Sequence, residues 1–158
     1  MLFRSLAANT SGSYGVAVGY NALTANTTGL YNTAVGRAVL SSSTTGNDNT
    51  AMGHVALSSN TTGGSNTAYG SQALINNTTA SNNTAVGYQA GYSNTTGTPI
   101  QAFGKWALYA NTAGTNNDAF GFNALGSNTT GGSNVGLGTY ALYSNTTASG
   151  NTAVGYQA

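Results

Sequence analysis

The sequence predicts an all-β chain folded as a parallel β-solenoid, a β-roll of 17-residue coils. Three observations carry that expectation. Nine glycines (Gly19, Gly36, Gly53, Gly70, Gly87, Gly104, Gly121, Gly138 and Gly155) follow one another at intervals of 17 residues, with no insertion. The residues leading into each glycine alternate as in a short strand, the clearest copy being Asn83-Thr84-Ala85-Val86-Gly87. A unit this short cannot enclose a core, so it must bury its inner face against copies of itself. Residues 1–158 form a single array: a partial copy over 1–14, eight full copies over 15–150 and a partial copy over 151–158. Starting and stopping in mid-repeat, the array reads as a piece of a longer fibre.

Composition agrees with a stack and narrows the function. Only five of 158 residues are charged and the net charge is +1, which leaves no electrostatic footprint for nucleic acid or an anionic membrane. The fixed period separates this Asn-, Thr-, Ser- and Gly-rich chain from a disordered linker. There is no cysteine, hence no disulfide framework and no thiolate metal site. No run of 18 apolar residues is present, so no membrane-spanning helix is expected. Met1 to Ala8 is too short for a secretory signal.

Counting from the anchor glycine as position zero, each element has its own justification. Minus two is Ala in eight of nine copies, with Gly136 the exception, a size limit that means close packing. Minus one is always apolar but varies in bulk (Val35, Met52, Tyr69, Phe103), as on an outward surface that meets an adjustable partner. Minus three admits Thr84, Gln101 and Asp118 and should reach water. The anchor never carries a side chain, which points to positive φ or close backbone approach. Plus ten, usually Gly, becomes Ala80 and Ala148, so positive φ is not required there.

Beyond the anchor, plus one and plus two vary widely (Tyr20, Arg37, His54; Gln72, Trp106, Tyr140) and are expected to be exposed. Plus three is Ala in all but Val39, and plus four is Leu in seven of eight full copies, with Gly91 the exception. This inward pair belongs to either a second strand or a short helical turn, with two outward positions before two inward ones fitting the turn better. Asn-Thr-Thr-Gly at plus seven to plus ten, as in Asn60-Thr61-Thr62-Gly63, marks a tight turn.

Coaxial stacking at about 4.8 Å per coil would make a rod on the order of 45 Å long. It would align amides into two ladders, Asn32, Asn66 and Asn83 at minus four and Asn60, Asn77, Asn94 and Asn128 at plus seven. The same geometry explains the missing charges. Like charges about 5 Å apart cost roughly 3 kcal/mol per pair at an effective dielectric of about 20.

Asn151-Thr152-Ala153-Val154-Gly155-Tyr156-Gln157-Ala158, preceded by Tyr143-Ser144-Asn145-Thr146-Thr147, resembles the head repeats of trimeric autotransporter adhesins. It also resembles repeats in phage tail-fibre and bacterial surface proteins. The resemblance spans essentially the whole chain and implies a left-handed parallel β-roll, three chains around one axis, and an adhesive or spacer role outside the cell. The unit here is longer than the usual adhesin head repeat, so an extra arc must fit. The stalk, anchor and chaperone domain that often accompany such repeats are not in this sequence.

Chemistry is sparse. Asp48 and Asp118 are the only acids and occupy different columns about four coils apart, which rules out a carboxylate pair. His54 is the only histidine, in a column that also holds Tyr, Ser and Thr, and reads as a solvated surface residue rather than a ligand. No catalytic site, metal site or cofactor is expected. The glycines are a structural period, not a phosphate loop. Exposed aromatics are the binding candidates: Tyr88 at plus one, Tyr92, Tyr109 and Tyr143 at plus five, and Lys105 with Trp106 in the most irregular copy. Their plainer role is to pack against a neighbouring chain or cover the Leu column.

The expected function is a structural or adhesive fibre segment, in a phage tail fibre or a bacterial surface adhesin, displaying a repeated surface to a host-cell glycan or receptor. Its first partner would be itself, as a homotrimer. The alternatives are a self-assembling extracellular filament joined end to end and an ice-binding solenoid using the threonines at plus eight and plus nine.

Overall fold

The structure is a computed structural model and describes residues 4–158; the first three residues of the leading partial copy lie outside the described residues. Nine short strands, one per coil, form a single parallel sheet in chain order. They are β1 (Val16–Val18), β2 (Thr33–Val35), β3 (Thr50–Met52), β4 (Thr67–Tyr69), β5 (Thr84–Val86), β6 (Ile100–Phe103), β7 (Asn117–Phe120), β8 (Val135–Leu137) and β9 (Thr152–Val154). Every pairing keeps like on like: Ala34 sits beside Ala51 and Val35 beside Met52, and the same shift recurs to Val154 beside Leu137. The chain is therefore an all-β parallel β-solenoid of 17-residue coils, as the period predicts.

The anchor glycine satisfies both reasons for excluding a side chain. Gly87 has φ of +140°, and a Cβ built on it would lie 2.5 Å from the carbonyl oxygen of Gly104 in the next coil. Backbone of one coil rests directly on backbone of the next at this corner. From Ala34 to Ala119 the minus-two alanines are wholly buried beneath the sheet, and Ala17 and Ala153 in the terminal strands are half-buried. Where Gly136 replaces Ala, the Cβ would meet Leu125 Cγ at 3.3 Å, which identifies the plus-four Leu column as the partner that limits minus two to a methyl.

After the anchor the chain is neither a second strand nor a helical turn. Plus two and plus four both have positive φ, for example Gln72 at 62° and Leu74 at 49°. Two left-handed residues on either side of the buried Ala exclude helix and extended strand alike. Holding a Leu in that region costs about 1–2 kcal/mol, and burying its side chain returns about 1.5–3 kcal/mol. Burial wins, which explains why plus four is so restricted. The arcs are tied across coils as well as the strands are, through bonds such as Leu57 N–H to Ala73 C=O at 2.9 Å and Thr61 N–H to Thr78 C=O at 2.8 Å. Among the described residues there is no helix.

The core has an apolar half and an amide half. Leu23, Leu40, Leu57, Leu74, Leu108 and Leu125 stack with the alanines of minus two and plus three. Opposite them run the two asparagine ladders. At plus seven, Asn77 Nδ2 donates to Asn60 Oδ1 at 3.0 Å, Asn94 to Asn77 at 3.1 Å, Asn111 to Asn94 at 2.9 Å and Asn128 to Asn111 at 3.0 Å. The second proton of each Nδ2 goes to the carbonyl three residues on, as from Asn60 to Gly63 at 2.9 Å. At minus four, Asn32 Oδ1 accepts from both the backbone N–H and the Nδ2 of Asn49, at 3.0 and 3.1 Å. Asn66 donates the same two bonds to Asn49 Oδ1, and Asn83 N–H extends the ladder to Asn66 Oδ1 at 3.0 Å. The ladders converge where Asn83 Nδ2 reaches Asn77 Oδ1 at 3.3 Å. Except at Asn26, whose Oδ1 faces Ser43, the paired ladder amides avoid the penalty of about 1–3 kcal/mol that an orphaned polar group carries.

Two irregular copies turn out to be one compensated change. Ile100 stands where the minus-four ladder would have Asn, and Gly91 where plus four would have Leu. Ile100 is completely buried, and its Cδ1 lies 3.4 Å from the point a Gly91 Cβ would occupy. The isoleucine fills the volume that the missing leucine vacates. Glycine takes the left-handed φ of 60° at this position without strain.

Candidate interaction surfaces

Two surfaces leave the solenoid in regular columns. The first is the outer face of the sheet. Strand alternation buries minus two and turns minus three and minus one outward side by side. The minus-one column is apolar along its whole length, exposed in five coils and half-buried at Val35, Met52, Val86 and Phe103. Val18 (57%), Tyr69 (54%), Leu137 (46%) and Val154 (67%) are the most exposed. Phe103 and Phe120 stack at 4.8 Å with 6° between their planes, because the coil rise brings identical rings to the ordinary stacking distance. Beside them runs minus three, with Thr33, Thr50, Thr67 and Thr84 in register.

The second surface lies on the turns that follow the anchor, and it gathers every sequence-predicted contact residue. Lys105 Nζ sits 4.1 Å from the Trp106 ring and 5.9 Å from that of Tyr88. Tyr92 and Tyr109 stack at 5.0 Å. Trp106, Phe122, Tyr140 and Tyr143 touch in sequence at 5.5, 5.2 and 5.4 Å. Trp106 Nε1 donates to Gln89 Oε1 at 2.8 Å, and Gln89 Nε2 donates to Gln72 Oε1 at 2.6 Å, a polar strip down the plus-two column.

Sequence reasoning missed Phe122 because plus one reads as exposed, and Tyr140, Gln89 and Asn123 because plus two does. In fact plus two is half-buried in every copy but the last, where Gln157 is exposed. The left-handed φ at plus two is what leaves these side chains lying on the surface rather than projecting from it. Plus one is exposed as expected at Tyr20, Arg37, His54, Tyr88 and Lys105 and half-buried at Ser71, Phe122 and Thr139. Arg37 Nη1 donates to His54 Nε2 at 2.9 Å across adjacent coils.

The threonines of plus eight and plus nine face different ways. Plus eight is spent on the fold, Thr27 Oγ1 donating to Thr44 C=O at 3.0 Å and Thr61 Oγ1 to Thr78 C=O at 3.1 Å. Plus nine is exposed, as at Thr28, Thr62 and Thr96.

Comparison with protein families, with curated proteins and with solved structures finds no match. What the chain does has to be argued from these two surfaces.

Proposed function

We propose that this chain is a rigid segment of an extracellular fibre, associating side by side with copies of itself through the outer face of the sheet. The observation that carries this is the minus-one column: apolar in every coil, varied in bulk and exposed or half-exposed throughout, beside an alanine column that is buried in every coil between the two terminal strands. An exposed apolar surface that continuous is unusual on a protein that stays alone. The repeat resemblance adds the preferred number, a homotrimer, and the setting, a phage tail fibre or a bacterial surface adhesin. In that setting the turn surface is what a host-cell glycan or receptor would meet. The segment acts by holding repeated side chains at a fixed spacing along a stiff axis. No catalysis is part of the proposal.

Sedimentation over a wide concentration range tests it. A trimer whose mass does not change on dilution is expected. Replacing Val35, Val86 and Phe120 together by Asp should release folded single chains, since none of the three is in the buried core. Folded single chains from the unaltered protein would overturn lateral association.

Two alternatives have their own support. Any coil is complementary to any other, donating amides one way and accepting them the other, so end-to-end filaments are the second reading; open-ended growth would favour it. Ice binding moves from plus eight, whose hydroxyls are engaged, to the outward in-register minus-three threonines; thermal hysteresis would be its mark.

A further inference from the structure

The plus-five column contains a gap. Tyr92, Tyr109 and Tyr143 occupy it in neighbouring copies, but the copy between Tyr109 and Tyr143 has Gly126. Asn123 folds over Gly126 into the room a Cβ would take, and beside them, where a tyrosine ring would otherwise lie, is a groove of about 480 Å³, within the ordinary range for small-ligand sites. Trp106, Tyr109 and Tyr143 wall it, and Gln89, Asn123 and Ser127 supply its polar groups. Tyr109 and Tyr143 stand two coils apart, about 9.6 Å at the strand spacing. That spacing leaves one coil position empty between them, the step over which Tyr92 stacks on Tyr109 at 5.0 Å.

We propose that this gap is a saccharide subsite that takes one neutral pyranose ring between Tyr109 and Tyr143, with Trp106 as its floor. The chemistry selects the class. A sugar ring presents C–H groups on its faces, which pack on aromatic rings, and hydroxyls at its edge, which both donate and accept. Asn123 and Ser127 offer amide and hydroxyl partners at the edge of the groove. The lining holds no charged residue, and the one cation beside it, Lys105, is held on the Trp106 ring, which favours a neutral sugar over an acidic one. The site rests on the display role proposed above, though binding itself requires no second chain.

Trp106 is the only tryptophan, so its fluorescence reports on the groove directly. The full chain is titrated with glucose, galactose, N-acetylglucosamine and their β-linked disaccharides, up to about 100 mM because single-ring affinities fall near the millimolar range. A saturable emission change with at least one of them is expected. Gly126→Tyr, which continues the tyrosine column, should weaken it by about tenfold or more, as should Tyr109→Ala, which removes a wall. Thr24 beside Asn21 shows that a side chain at plus five is compatible with Asn at plus two. No response to any sugar overturns the proposal. So does a response that both variants leave intact, or saturation by indole or adenosine alone, which would make the gap a site for planar aromatic rings. Sedimentation of the same samples separates this outcome from failure of the fibre reading: loss of sugar binding leaves the oligomer unchanged, and a monomeric chain can still bind.

Discussion

A single residue shows how strictly the amide ladder is kept. Ser43 occupies the plus-seven position that Asn holds in every other copy. Its side chain is too short to continue the ladder, and Asn26 Oδ1 and Ser43 Oγ are left buried without a protein partner. Ser43→Asn would donate to Asn26 Oδ1 and to Gly46 C=O and accept from Asn60 Nδ2, as its neighbours do. It is expected to stabilise the chain by about 1–2 kcal/mol, read as a higher denaturant midpoint with unchanged slope. At this scale much was legible in the sequence. Invariance of the anchor foretold a forbidden Cβ, and the asparagine columns foretold the ladders. The left-handed Gln72 and Leu74 were not legible, because only glycine and asparagine advertise positive φ and the burial of Leu74 overrides its backbone preference.

Element by element, the coils tolerate change only when volume is conserved. Gly91 and Ile100 are nine residues apart in sequence and look like two unrelated departures from the repeat, yet they share one space in the core. Gly91→Leu alone should overpack against Leu74 and Ile100 and cost about 1–3 kcal/mol. Ile100→Asn alone should leave a void beside Gly91 and also lower stability. The double variant restores the repeat at both places. Thermal unfolding is expected to place it above both single variants, with a favourable coupling of about 1–3 kcal/mol. Additive effects would mean that the two side chains do not share the cavity. The sequence could not reveal this pair, since a column-by-column reading treats each position against its own copies and never against its neighbour across the core. The aromatic gap lies within one column, Gly126 between Tyr109 and Tyr143, and what a column reading could not show is that Trp106 and Asn123 from plus two border it.

For the whole molecule, everything follows from coaxial stacking. The strict 17-residue period fixed that much in advance, because only like-on-like contact between coils explains why nothing has been inserted over nine anchors. What surrounds the rod was less legible, since a column that faces outward is under the control of its partner and not of the coil. Distances between spin labels test the stacking itself most directly. The chain has no cysteine, and Thr28, Thr96 and Thr130 are exposed at the same position of their coils, so paired cysteines can be introduced there and labelled without touching the core. Labelled chains diluted with unlabelled ones should give about 19 Å for Thr28 with Thr96, four coils apart, and about 29 Å for Thr28 with Thr130, six coils apart. Separations that do not grow by one strand step per coil would contradict the stack, and with it the ladders, the apolar column and the aromatic groove.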